Sequence, residues 1–258
     1  MNGDGPPDGL TPPVAEDWRS LASGAEKPPR FTAGMTSDLP EPVRRWLTHA
    51  IDEGTPLARA VELRMHGEIF LGRWSPFTAV QRLSLTRGFV WAATTRLLGL
   101  PIRGFDRWSR GTGEMRWRLF GILPVASAAG VDVTRSAAGR HAGELLVAAP
   151  AAALSGRVKW QPVDAGRATA RIRVDAGFHE VELSVDDDGA LTSMLMSRWG
   201  AGPDGSFGVR VFGADFTDEA TFEGFTIPRT VVAGWDHGTP GWGAGQFIRY
   251  TVDTAHYR

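Results

Sequence analysis

The chain has no cysteine, which excludes disulfides, thiolate catalysis and Cys-ligated zinc or iron–sulfur centres. Lysine is nearly missing: Lys27 and Lys159 stand alone, and the other 26 of the 28 basic residues are arginine. A high-GC genome explains most of that bias; arginine also stacks on tryptophan and grips anions in a fork geometry. Neither sign of charge is in excess, since 28 basic and 29 acidic residues leave a net charge of -1. A general nucleic-acid binder, whose affinity rests on phosphate neutralisation, is therefore not expected. No apolar run approaches the roughly 18–20 residues of a membrane span. The N-terminus has neither the basic start nor the apolar stretch of a signal peptide, so the expectation is a soluble, cytoplasmic protein. The six histidines are scattered with no close pair, which argues against a His-rich metal centre. The dinucleotide fingerprint, the phosphate loop and the nucleophile elbow are also missing. Gly111-Thr112-Gly113 lacks the third glycine and reads as a turn between strands. No metal and no cofactor are expected.

What is present is glycine and tryptophan: 32 Gly and 10 Trp in 258 residues. Residues 1–37 hold Pro6, Pro7, Pro12, Pro13, Pro28 and Pro29 without periodicity. They read as a flexible arm that buries too little apolar surface to offset its ordering entropy, with Trp18 and Leu21 docking at most as a short helical turn. Val43, Trp46, Leu47, Ala50 and Ile51 fall on one helical face between Asp38 and Gly54. The period then changes to two. Val61 to Leu71 alternates as a long strand with Gly67 as its bulge, and Gly88 to Thr95 is apolar enough for a strand buried on both faces. Residues 136–155 are helical, broken at Pro150. Strands resume at Val158 and continue to Asp253, with a hairpin at Asp187-Asp188-Gly189. About ten to twelve strands with short turns predict a mainly β (α+β) fold. It is a single curved antiparallel sheet or barrel-like fold with an N-terminal helix and a central helical segment. Residues 38–258 form one β-rich ligand-binding domain.

The tryptophans pose the functional question. Core packing is their ordinary use. An antiparallel sheet also has a concave face, however, and Trp160, Trp199 and Trp235 recur on successive strand regions. Together with Trp91 and Tyr250 they are the candidate substrate-binding wall, suited to a bulky apolar ligand. Asp106 sits between apolar residues on a strand. Arg140 and Glu144 lie at i, i+4 on the central helix. These three are either a structural ion-pair set or the candidate catalytic groups, able to polarise a carbonyl or move a proton. The leading expectation is a cofactor-independent cyclase or isomerase, such as one directing a cycloaddition on a polyketide- or terpenoid-like molecule. Such chemistry needs mainly shape and orientation. The alternative is a non-catalytic carrier of a lipid or other apolar ligand, and a third reading is an interaction protein whose core is simply filled. The expected partner is an apolar small molecule in each of the first two cases.

Several motifs follow one another in order. Leu39-Pro40-x-Pro42-Val43-Arg44-Arg45-Trp46-Leu47 precedes Trp74-x-Pro76-Phe77-x-Ala79-x-Gln81. Phe89-Val90-Trp91-Ala92-Ala93 comes next, then Asp106-x-x-x-x-Gly111-x-Gly113-x-Met115. With Gly139-Arg140, Glu144 and Pro150, this order resembles a bacterial family of domains of unknown function, over roughly residues 38–258. The resemblance implies no reaction and transfers no catalytic residue. The strand–turn rhythm from Glu182 to Arg198 also looks like the curved half-barrel of bacterial lipoprotein carriers, a likeness of fold alone.

Overall fold

The computed structural model describes residues 5–22, 27–175 and 177–258. From Ala60 onward the period-two pattern builds strand after strand, because successive side chains of an extended chain point to opposite faces. The first six are β1 (Ala60–Phe70), β2 (Trp74–Ser84), β3 (Gly88–Leu97), β4 (Leu100–Ser109), β5 (Thr112–Leu119) and β6 (Leu123–Ala129). Seven more follow: β7 (Val158–Pro162), β8 (Arg167–Val174), β9 (Gly177–Val185), β10 (Leu191–Ala201), β11 (Phe207–Phe222), β12 (Phe225–Trp235) and β13 (Gln246–Tyr257). They form one antiparallel sheet ordered β6-β5-β4-β3-β2-β1-β13-β12-β11-β10-β9-β8-β7. Hairpins account for each half, and the β1–β13 pairing, from Val61↔Tyr257 to Ile69↔Ile248, joins them.

The crossing from edge strand β6 to edge strand β7 runs through α3 (Val131–Ala148), and this helix sets the curvature. It touches β4 and β5 in one half and β8, β9 and β10 in the other. In a flat sheet β5 and β10 would lie about 40 Å apart. A helix about 10 Å across reaches both only if the sheet wraps around it. The wrapping is close because α3 carries glycine where β10 carries bulk. Gly143 faces Met194 and Met196, and Gly139 faces the Arg198 stem. The inner wall is one continuous core, with Leu145 and Leu146 of α3 buried against it. Among the described residues no helix is long and apolar enough to cross a membrane.

Two other helices close the structure. α2 (Glu41–Ala50) buries Val43, Trp46, Leu47 and Ala50 on the anticipated face and packs on β8, β9 and β12. α1 (Pro12–Leu21) lies inside the segment expected to be a flexible arm. It is instead a docked helix. Val14, Trp18 and Leu21 are buried against Val90 and Phe105 on the outer face of β3 and β4. Asp17, itself buried, meets Arg107 at 3.3 Å and Arg110 at 3.2 Å. The apolar run Gly88 to Thr95 needs a cover on both faces, and α1 supplies the outer one. Residues 1–4 and 23–26 of that arm lie outside the described residues.

Other boundaries differ from the sequence reading for local reasons. α3 begins at Val131 rather than 136; its first turn is tied to the sheet by Thr134 Oγ1, which accepts from Gly113 N–H at 2.9 Å, and by Asp132, which accepts from the Trp199 indole N–H. β6 has no apolar–polar alternation to announce it. It is an exposed edge strand carrying Pro124, the position in a sheet that proline tolerates. β11 runs unbroken from Phe207 to Phe222, with register shifts around Asp218. Gly67 is not a bulge; the β1–β13 register shifts between Arg64 and Met65. Gly67 is needed because β13 comes close: a Cβ there would fall 2.6 Å from Tyr250 Cα.

Gly104 shows how the glycines serve the tryptophans. Paired with Trp117 across β4 and β5, it leaves the space the indole occupies. A Cβ at Gly104 would fall 2.6 Å from the Arg116 carbonyl oxygen and closer still to the Trp117 ring. Gly104→Ala is therefore expected to cost about 1–3 kcal/mol, typical of overpacking. It should appear as a lower urea midpoint with an unchanged far-UV spectrum.

Candidate functional site

Between the inner wall and α3 lies a cavity of about 460 Å³. Its lining is mostly apolar, with Met65, Ile69, Phe216, Val231, Phe247 and Ile248 among the contributors. A small polar group interrupts it. Gln81, Trp91, Asp106 and Met115 form one row across β2, β3, β4 and β5. Arg140 and Glu144, one turn apart on α3, face that row.

The four polar side chains of this group are linked to one another. Arg140 donates through Nε to Glu144 Oε1 at 2.6 Å and through Nη1 to Asp106 Oδ2 at 3.0 Å. Gln81 Nε2 donates to Glu144 Oε2 at 2.6 Å. The Trp117 indole N–H donates to Asp106 Oδ1 at 3.3 Å. All four carboxylate oxygens are thereby engaged by protein donors. The Arg140 guanidinium also lies over the Phe89 and Trp91 rings, at 4.8 and 5.3 Å. Burial raises the Asp106 pKa, and the opposing pull of Arg140 does not fully reverse it. Burial works against the Arg140 charge too, but Glu144 and Asp106 outweigh it and hold that pKa above its ordinary value.

Tyr250 lines the cavity from β13. Burial first, and then the Glu144 charge, raise its pKa, so the phenol stays protonated. Its hydroxyl has no hydrogen-bond partner among the described residues. Asp106, Arg140, Glu144, Trp91 and Tyr250 are thus brought together around one space.

The remaining wall candidates sit elsewhere. Trp160 of β7 packs edge-on against Trp46 of α2 at 6.1 Å and donates its indole N–H to Ala153 O at 3.1 Å. Trp199 is drawn to the start of α3, where its N–H meets Asp132 Oδ1 at 2.9 Å and Arg135 stacks on its ring at 3.9 Å. Trp235 lies across Gly200, whose Cβ would collide with its ring. It packs behind Phe212 and Phe247, which take the lining positions themselves.

Two site residues are absent from the sequence reading, and both carry the same signal. Gln81 follows Phe77 and Ala79 at alternate positions of β2, and Arg198 follows Met194 and Met196 on β10. Each is a polar residue at an apolar parity. Among the described residues no three His, Asp or Glu side chains converge as a metal-ligand set.

No curated protein matches this sequence significantly. Among solved structures, the chain is similar to a domain described as that of an outer membrane lipoprotein-sorting protein from Vibrio parahaemolyticus. The TM-score is 0.40 at 8% identity, over 78% of this chain and 86% of that one. It is also similar to a LolA superfamily protein from Nitrosomonas europaea, with a TM-score of 0.43 at 8% identity, over 84% and 92% of the two chains. The family model that matches extends over residues 29–246, nearly all of the sheet together with α2 and α3, and the chain belongs to that family, the family of unknown function DUF6544.

Proposed function

We propose that this protein binds a bulky apolar small molecule or a single lipid chain in its concave cavity, as a carrier or binder. The observation that supports this is the cavity itself: about 460 Å³, apolar around most of its wall, and held open between α3 and the sheet. That size is within the range of small-molecule pockets, and burying apolar ligand surface supplies the driving force. The engagement of Asp106 and Glu144 by protein donors favours binding over chemistry. A carboxylate whose oxygens each accept a protein hydrogen bond has fewer free lone pairs for a substrate proton.

The test uses the neutral apolar dye N-phenyl-1-naphthylamine. Saturable binding is expected in the wild type. Ala233→Phe, a buried lining position on β12, should weaken it by about tenfold or more while circular dichroism stays unchanged. No saturable binding, or equal binding by the variant, overturns the proposal.

The second reading is cofactor-independent cyclisation or isomerisation of the bound molecule. It is favoured by the raised pKa of Asp106 in the cavity wall. Asp106→Asn would then retain ligand and lose product; product formed equally by the variant rejects it.

A further inference from the structure

Two arginines reach the cavity, and their circumstances differ. Arg140 is in direct contact with two carboxylates, which leaves that trio one negative charge in excess. Arg198 has no carboxylate within ion-pair distance among the described residues. Its Nε donates to Ser136 O at 3.2 Å and its Nη2 to Ser136 Oγ at 3.4 Å, both on α3. The stem passes Gly139, where a Cβ would stand 3.2 Å from Arg198 Cγ. The guanidinium carbon lies over Phe212 at 4.8 Å and Trp235 at 5.4 Å. The side chain is thus fixed by a backbone carbonyl, a hydroxyl and two rings, none of which carries charge. Its Nη1 has no hydrogen-bond partner among the described residues. Burial, with the Arg140 charge adding to it and Glu144 and Asp106 opposing from beyond ion-pair distance, brings the guanidinium down to about 10, so it is charged at neutral pH with no carboxylate in contact.

We infer that Arg198 receives the carboxylate of an amphipathic ligand, whose hydrocarbon chain lies along the apolar wall of the same cavity. This rests on the cavity-binding proposal and specifies its ligand as a long-chain carboxylic acid. Three features support it. No carboxylate touches this guanidinium among the described residues, whereas the other charged groups of the wall are in direct ion-pair contact. The guanidinium is held in place before the ligand arrives, which reduces the entropy cost of binding. Its planar fork matches a carboxylate better than an ammonium would. Tyr250 offers a second unpartnered polar atom on the same wall.

The experiment compares palmitate with hexadecanol as displacers of the bound dye, in the wild type and in Arg198→Gln. Wild type is expected to bind palmitate at least about tenfold more tightly than hexadecanol. R198Q should abolish that preference by weakening palmitate alone. Should R198Q fail to fold, Arg198→Lys serves in its place. It retains the charge without the fork and should keep part of the preference. Equal binding of the two ligands by wild type, or equal loss of both in the variant, overturns the role of Arg198 and leaves the cavity-binding proposal standing. Failure of wild type to bind dye, acid and alcohol alike overturns both.

Discussion

Arg140→Met is expected to destabilise the fold by about 3 kcal/mol, because it strands two carboxylates on an apolar wall. Asp106 and Glu144 retain only 26% and 28% of their side-chain exposure, so water replaces little of the lost partner. The pH dependence identifies the cause. Asp106 already titrates above its ordinary value because of burial, and loss of Arg140 raises it further. The folded state then holds a proton that the unfolded chain releases above about pH 4. Stability of the variant accordingly falls as pH rises through that window and recovers on mild acidification. Urea unfolding at pH 5 and pH 7 should show R140M less impaired at the lower value. The triple variant Asp106→Asn, Arg140→Met, Glu144→Gln removes the charges together and should recover most of the loss, since uncharged replacements of buried ion sets are often neutral. A variant R140M as stable as wild type at both pH values would show that the cluster carries no such load.

The second large effect belongs to His141. Its ring is stacked between Phe89, at 6.2 Å and 20°, and Trp108, at 5.1 Å and 24°. It is 2% exposed and its Nδ1 has no hydrogen-bond partner. Burial, aided by His179 and Arg157, holds its pKa down to about 3. The imidazole is therefore neutral in the folded chain, whereas the unfolded chain protonates it below about pH 6.5. Its contribution is complete above about pH 6.5 and is lost as pH falls toward 3, at about 1.4 kcal/mol per unit. Between pH 6.5 and 4.5, before most carboxylates titrate, about 2–3 kcal/mol should disappear. His141→Phe keeps a planar ring of similar size in the stack and should flatten that slope while leaving the dye site intact. Identical slopes for the two proteins would exclude His141 as the cause. The same ring explains a feature of α3: a polar residue on the buried face of that helix is tolerated because it stays neutral.

Much of the fold was legible in the residues because it is local. The α2 face from Val43 to Ala50 follows from a period of 3.6, and the hairpins follow from period two with glycine at the turns. The Arg140–Glu144 pair was legible for the same reason, being one turn apart on a helix. Asp106 was legible as an acid between apolar neighbours. The three misplaced tryptophans mark where this reading ends. Trp160, Trp199 and Trp235 alternate as expected, but alternation gives a face and not a depth. Each ring was drawn off the cavity by neighbours distant in sequence: Trp46, Asp132 and Arg135, or Gly200 with Phe212 and Phe247. The docking of α1 was hidden for a related reason. Its prolines and short length suggest disorder, and only the bare outer face of β3 and β4 makes its three apolar residues worth ordering.

By itself the sequence determined a strand-rich, cysteine-free chain with glycine at its turns and an ion pair on its central helix, because each of these is written in spacings of a few residues. The tertiary structure alone decided that Gln81, Asp106, Arg140 and Arg198 border one cavity. Their meeting depends on β1 pairing with β13, at the two ends of the sheet-forming chain, and on the sheet curling around α3. Those are long-range closures, set by how the helix and the sheet bury their apolar faces against each other, and no local period encodes them.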